Sequence, residues 1–494
     1  MGILRDSSKV LAGATVQRVM SLIMIPVIAR LLGPKDYGIF NVALSVCALL
    51  AIVGGFALEA SIAVSATKRQ AAERAIGTSL IGILSGFFFW LIAYLIYPYL
   101  KDYYSKDITN ALFFMIPIFV PLIIINISMQ NYVGYLGKFK FFAIADIASP
   151  IASYIALISV YILFWKDYRS LITAGIMQLV VRISLFLYAS RSFQRFGNNI
   201  LSSEMIRSLW QARNFAKFNL PSNLLNTASV QLPPVLLSIA FSANVVGLFT
   251  MARNIITIPT SLSGRALGQV FYPKAAKEYK NTGSLTGITW TTFVYSCQLT
   301  LFPAIFTAAA ASFVLPLLLG PKWCGVAPFL VLLLPMVLLN AVQTQIGIRF
   351  IFNILNQQYK ILIGNVLLFV FRISPLIICM SLMWSEYLTV FAYSIGGAIG
   401  YAFLLGWIFI STSISVIKAF YTWVKYCLIA ALCVLPVLGA TLSSQAFVLL
   451  SALAISTISY SIIAWVKFLN YEQRSLVISK IYKISCFKKI KYRL

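Results

Sequence analysis

The residues of this chain best equipped for chemistry are arginines set within apolar stretches: Arg18, Arg30, Arg253, Arg265 and Arg372. A charge at the bilayer centre costs at least ~2.5–3.5 kcal/mol on insertion scales, so such residues line a cavity rather than face lipid. Arg253, Thr257, Ser261 and Arg265 recur every four residues and make one polar stripe along a helix. At a rise of 1.5 Å per residue that stripe is roughly 18 Å long, and Pro259 and Gly264 supply places for it to bend. The preceding stretch puts Asn219, Asn223 and Asn226 on one face, followed by Thr227 and Gln231. Guanidinium binds diphosphate and amides bind sugar hydroxyls, so a cavity with this lining suits an anionic, hydroxyl-rich ligand. Amides inside spans serve equally as glue between helices, and both readings stay open for the asparagines. Arg182 and Arg349 lie nearer an interface and are read as snorkelling to it.

Two acids fall within apolar stretches, Glu59 and Asp146. Each is a candidate coupling site for H+ or Na+, or the ion-pair partner of an arginine; for Glu59 the ion pair is the preferred reading. Histidine is absent, which removes every His-based catalytic, zinc or haem scheme. The seven cysteines lack paired spacing, so neither a disulfide framework nor a metal site is expected. No G-x-x-x-x-G-K-[ST] run is present to hold ATP. No cofactor is expected, and the chain does not read as an enzyme.

The elements that must position these side chains are membrane-spanning helices. The sequence is 60% hydrophobic and 10% charged, where a soluble domain carries about 25% charged residues. Apolar runs predict an all-α polytopic membrane protein of about fourteen spans, near 10–31, 38–63, 76–98, 109–130, 143–165, 170–190, 218–241, 245–270, 287–311, 324–349, 360–383, 387–411, 420–442 and 446–467. No cleavable leader is read ahead of the first span. Sorting charges by loop puts 26 Lys/Arg on the side of the termini and six on the other: Lys35, Lys101, Lys106, Lys166, Arg169 and Lys322. Positive charge collects in cytoplasmic loops, so both termini are expected in the cytoplasm. The net charge of +27 is then topological and implies no nucleic-acid partner. The basic tail, 471–494, is expected to lie on anionic lipid. All outer loops are short, and none could hold a folded catalytic module. The longest polar connection, 191–217, is read as a cytoplasmic linker between an N-lobe (1–190) and a C-lobe (218–411), with two further helices over 412–470.

Shifting the chain by 209 residues aligns Tyr37-Gly38-Ile39-Phe40-Asn41-Val42-Ala43 with Val246-Gly247-Leu248-Phe249-Thr250-Met251-Ala252. The register continues to Ala66-Thr67-Lys68 against Ala275-Ala276-Lys277. An offset of six spans keeps the orientation, so the repeat is parallel: two pseudo-symmetric six-helix lobes, a central site between them, and alternating access.

The run Ile28-Ala29-Arg30-Leu31-Leu32-Gly33-Pro34-Lys35-Asp36-Tyr37-Gly38-Ile39-Phe40 resembles the signature after the first span of Wzx-type polysaccharide flippases of the MOP transporter superfamily. Phe271-Tyr272-Pro273-Lys274 resembles the end of their eighth span. Leu319-Gly320-Pro321-Lys322-Trp323, with Ala327-Pro328 beyond, resembles their ninth-to-tenth connection. The resemblance implies a bacterial inner-membrane flippase that moves undecaprenyl-diphosphate-linked oligosaccharide repeat units to the periplasmic leaflet for O-antigen, capsule or exopolysaccharide. It also implies membrane lipid and other polysaccharide-assembly proteins as partners. The family's cationic lumen matches the arginines: Arg30 and Arg253 align by motif context, whereas Arg18 is assigned from its depth alone. A peptidoglycan lipid-precursor flippase is a close alternative, because the lipid diphosphate is shared. A drug/cation antiporter would favour acids where this chain has arginines, and a membrane glycan polymerase or ligase would need a catalytic constellation.

Overall fold

The computed structural model describes residues 2–190, 203–355, 357, 359–440 and 446–468; some side chains inside these ranges, including 2–12, 261–273 and 348–350, lie outside the description. Among the described residues every regular element is helical. In order they are α1 (Gly2–Leu31), α2 (Pro34–Gly55), α3 (Lys68–Tyr103), α4 (Lys106–Tyr135), α5 (Lys140–Leu163), α6 (Tyr168–Ala189), α7 (Ser203–Gln211), α8 (Arg213–Ala240), α9 (Ala243–Thr282), α10 (Thr286–Leu319), α11 (Val326–Ile346), α12 (Ile348–Ile354), α13 (Tyr359–Ser381), α14 (Glu386–Ser411), α15 (Val416–Ala440) and α16 (Ala446–Ile463).

Each predicted span falls on one of the long helices. Among the described residues, eleven of these are long and apolar enough to cross a membrane. Ala243–Ile258 of α9 and Ser451–Val466 of the α16 region are, among the described residues, further apolar stretches, and α8 is more polar than most of the others. For α8 the reason is in its sequence: Arg213, Lys217, four asparagines and Gln231 dilute the apolar residues. Helices α8 and α9 carry the polar positions singled out above.

The second span ends earlier than its hydropathy suggests. α2 stops at Gly55, Phe56 and Ala57 are left-handed, and a 3-10 turn covers Leu58–Val64. Arg74 of α3 holds that turn, donating to the Ser61 carbonyl at 2.8 Å and the Ser65 hydroxyl at 3.3 Å. Glu59 therefore sits in this turn beyond α2, not inside a span.

Helices α1 to α6 pack mainly on one another, with α3 on α4, α5 on α6 and α2 on α4. A second group packs α9 on α11, α10 on α11, α11 on α14 and α8 on α13, while α15 lies on α10 and α16 on α15. The groups meet chiefly where α2 runs along α9 and α8. Their contact is closest at two glycines. A Cβ on Gly38 would stand 1.8 Å from the Ala243 carbonyl oxygen, and one on Gly247 would stand 1.9 Å from that of Pro34. These contacts exchange under the 209-residue shift, 38 with 247 and 34 with 243. The sequence repeat is thus also a repeat in packing, and the two copies of the glycine motif seat against each other across a pseudo-two-fold axis.

Candidate functional site

Just inside this contact lie the charged residues. α8 contains Pro233 and Pro234. Proline lacks an N–H, so Pro234 leaves the Val230 carbonyl, four residues earlier, without its helical donor. Arg253 of α9 supplies one: its guanidinium donates to that oxygen at 2.8 Å. The guanidinium also lies 5.7 Å from the Phe249 ring centroid. One residue on, Asn254 donates to the Tyr37 hydroxyl of α2 at 2.9 Å, and Ser45 of α2 donates to Gln231 of α8 at 3.1 Å.

Arg372 is almost fully buried in α13, 4% exposed. Glycines let its neighbours close in: Gly396 of α14 has no room for a Cβ against the Phe371 carbonyl, 2.1 Å away, and Gly397 none against Met336. The Arg372 guanidinium donates to the Tyr401 hydroxyl of α14 at 2.8 Å and to Ser229 of α8 at 3.3 Å, and it touches the Met336 sulfur of α11. It lies 4.9 Å from the Tyr401 ring and 6.0 Å from that of Tyr393. Tyr393 and Phe249 are edge to face at 6.0 Å, so two aromatic rings stand between the two guanidiniums. Arg253 is within electrostatic reach of Arg372, Tyr37 and Tyr393. Among the described residues neither guanidinium meets a carboxylate. Two positive charges on either side of these rings, with only neutral hydrogen-bond partners among the described residues, favour an anion between the helix groups.

The other expected site residues are placed as follows. Asn219 and Asn223 are partly buried on α8, and Asn226 is exposed. The glue reading applies to a different amide: Asn365 of α13 donates to Ser222 of α8 at 2.9 Å. Arg18 is partly buried on α1. The side chains of Ser261, Arg265 and Arg349 lie outside the described residues; Thr257 bonds the Arg253 carbonyl of its own helix at 2.8 Å. Arg30 is at the end of α1, where it donates to the Leu317 and Leu318 carbonyls that close α10, at 3.1 and 3.2 Å.

Asp146 of α5 is buried and accepts from Arg182 of α6 at 2.8 Å. Arg182 is therefore held between α5 and α6 and over the Phe186 ring. Glu59 has a buried Oε2 with no hydrogen-bond partner. The residues that sequence reading missed are Tyr37, Ser229, Asn254, Trp323, Tyr393 and Tyr401. Tyr37 and Trp323 were quoted inside motifs, yet nothing in the spacing shows what they touch.

The family described as "Polysaccharide biosynthesis protein" matches residues 27–328, more than half of the sequence. The chain belongs to that family. The match covers Arg30, the glycine contact, Arg253 and Trp323, and it ends before Arg372. A relative within reach of sequence comparison, lipopolysaccharide biosynthesis protein WzxC of Escherichia coli (strain K12), is 26% identical over 186 residues, and the match spans 37% of each protein. Among solved structures the chain is similar to the lipid II flippase MurJ in an inward closed conformation. The TM-score is 0.68 at 14% identity, covering 93% of this chain and 98% of that one. It is also similar to an inward-facing multidrug resistance MATE family transporter of the MOP superfamily. There the TM-score is 0.61 at 13% identity, covering 82% and 94%. At such identities the likeness concerns the fold, which is that of MOP-superfamily transporters. The chain is a multi-pass membrane protein.

Proposed function

We propose that this protein is a flippase that carries undecaprenyl-diphosphate-linked oligosaccharide repeat units from the cytoplasmic to the periplasmic leaflet for surface polysaccharide assembly. The observation that carries the reading is the pair Arg253 and Arg372, two guanidiniums flanking the Phe249 and Tyr393 rings with no carboxylate on either among the described residues. A site so charged suits a diphosphate, and the asparagine face of α8 suits the sugars attached to it. The polyprenyl tail stays in lipid while two lobes, 1–190 and 218–411, rock about the α2–α9 contact. Both termini face the cytoplasm in this reading, which the bias of Lys and Arg among the loops supports. Of the two acids, Glu59, with an unpartnered oxygen, is better suited to a coupling H+ or Na+ than Asp146, whose carboxylate is engaged by Arg182.

The likeness in fold to MurJ favours one second reading, a lipid precursor of peptidoglycan as cargo; it shares the diphosphate and so the same arginines. An organic-cation exporter is disfavoured by the uncompensated positive charge. The test is Arg253→Ala in the native host, with Arg253→Lys beside it. Loss of charge-assisted hydrogen bonds, each about 1.5–3 kcal/mol, should lower surface glycan about tenfold or more in Arg253→Ala, with the protein still in the membrane and Arg253→Lys intermediate. Normal glycan display in Arg253→Ala would remove the assignment.

A further inference from the structure

The two helix groups finish each other's helices at one end of the molecule. The last carbonyls of an α-helix lack partners within it. At the end of α1, the Ala29 and Leu32 carbonyls accept the indole N–H of Trp323, at 2.8 and 3.3 Å. At the end of α10, the Leu317 and Leu318 carbonyls accept from Arg30 of α1. A cation is favoured there by the negative end of the helix dipole. Each group thus lends the other a cap, and the two caps lie side by side, because Trp323 follows the end of α10 by four residues and Arg30 precedes the end of α1 by one.

Trp323 is fully buried and sits edge-on to Tyr37 at 5.8 Å, the tyrosine whose hydroxyl accepts from Asn254. The glycine contacts of Gly38 and Gly247 lie on the same turns. We propose that Arg30 and Trp323 are the latch that closes the outer end of the transport path. This rests on the transport reading above for its direction.

Separating the groups at this end strips donors from four carbonyls together. Water must enter to replace them, so release of the latch and opening to the outside are one event. The arrangement also predicts cooperation: removing either donor loosens the contact that aligns the other. In this role Arg30 is a positioning residue, and its charge serves a helix terminus while the path is closed.

The latch is tested by solvent access from outside. Ser45, which faces Gln231 across the groups about three turns below Gly33, is changed to cysteine in a Cys324→Ser background, since Cys324 is exposed. Intact cells are treated with a membrane-impermeant maleimide. Labelling should be slow with the latch intact. It should rise about threefold with Trp323→Phe, which loses the N–H donor together with part of the buried ring system, and about tenfold with Arg30→Gln, which loses a charged donor.

Equal labelling in all three overturns the latch. Surface glycan is scored in the same strains. Increased labelling with undiminished glycan keeps the latch and removes the cargo reading; unchanged labelling with lost glycan does the reverse. Arg30→Lys, which keeps the charge but not the fork, should fall between parent and Arg30→Gln.

Discussion

Asp146 and Arg182 meet at 2.8 Å between α5 and α6, both largely shielded from solvent. Sequence allowed either a coupling acid or a neutralised pair, and a four-residue periodicity could not choose, because the partners lie 36 positions apart. Removing one charge of a buried pair leaves the other uncompensated and costs about 3–5 kcal/mol, whereas replacing both with apolar residues is often neutral. Asp146→Leu alone should therefore lower the melting temperature of the purified protein sharply. The double change Asp146→Leu with Arg182→Met should restore both stability and glycan export. If the double variant folds as well as the parent but exports nothing, Asp146 has a role beyond its partner. Arg372 poses the opposite case: its neighbours Tyr401 and Ser229 are neutral, so the cost of its burial is met by hydrogen bonds and aromatic faces and the charge remains to be answered by a ligand.

At the scale of elements, proline and glycine decide where side chains can act. Pro234 frees the carbonyl that orients Arg253, and the glycines of α14 bring α13 close enough for Arg372 to reach three other helices. Gly38 and Gly247 set the approach of α2 to α9. Each is too near a carbonyl for any side chain, so Gly38→Ala and Gly247→Ala should each force the groups apart at this end. The pseudo-symmetry predicts equal effects. Both variants should raise labelling of the Ser45→Cys reporter and reduce glycan export; an effect in one alone would mean that the repeat is not used symmetrically.

The glycine motif and its copy were legible in the sequence as a repeat, and the spans were legible as apolar runs. The break at Phe56 and Ala57 was not, because the apolar run continues through Leu58 and Ile62 and hydropathy does not report a left-handed turn. Nor was the use of Arg30 as a cap, which depends on Leu318 in the last turn of α10, 288 residues later, lying beside α1.

For the whole molecule, the charge pattern, the repeat and the fold give one account: two helix groups, sealed at one end by glycines and reciprocal caps, with paired guanidiniums beneath the seal. The fold is shared with transporters of different cargo, so architecture by itself does not name what moves. Only the site discriminates, through its excess of positive charge and its amide-bearing helix. The most direct measurement is deletion of the gene in its native host, followed by analysis of surface glycan and of the leaflet holding each lipid-linked intermediate. The account predicts loss of the surface polymer, with undecaprenyl-diphosphate repeat units accumulating on the cytoplasmic leaflet. Unchanged glycan, with no trapped intermediate and altered sensitivity to cationic drugs, would contradict it.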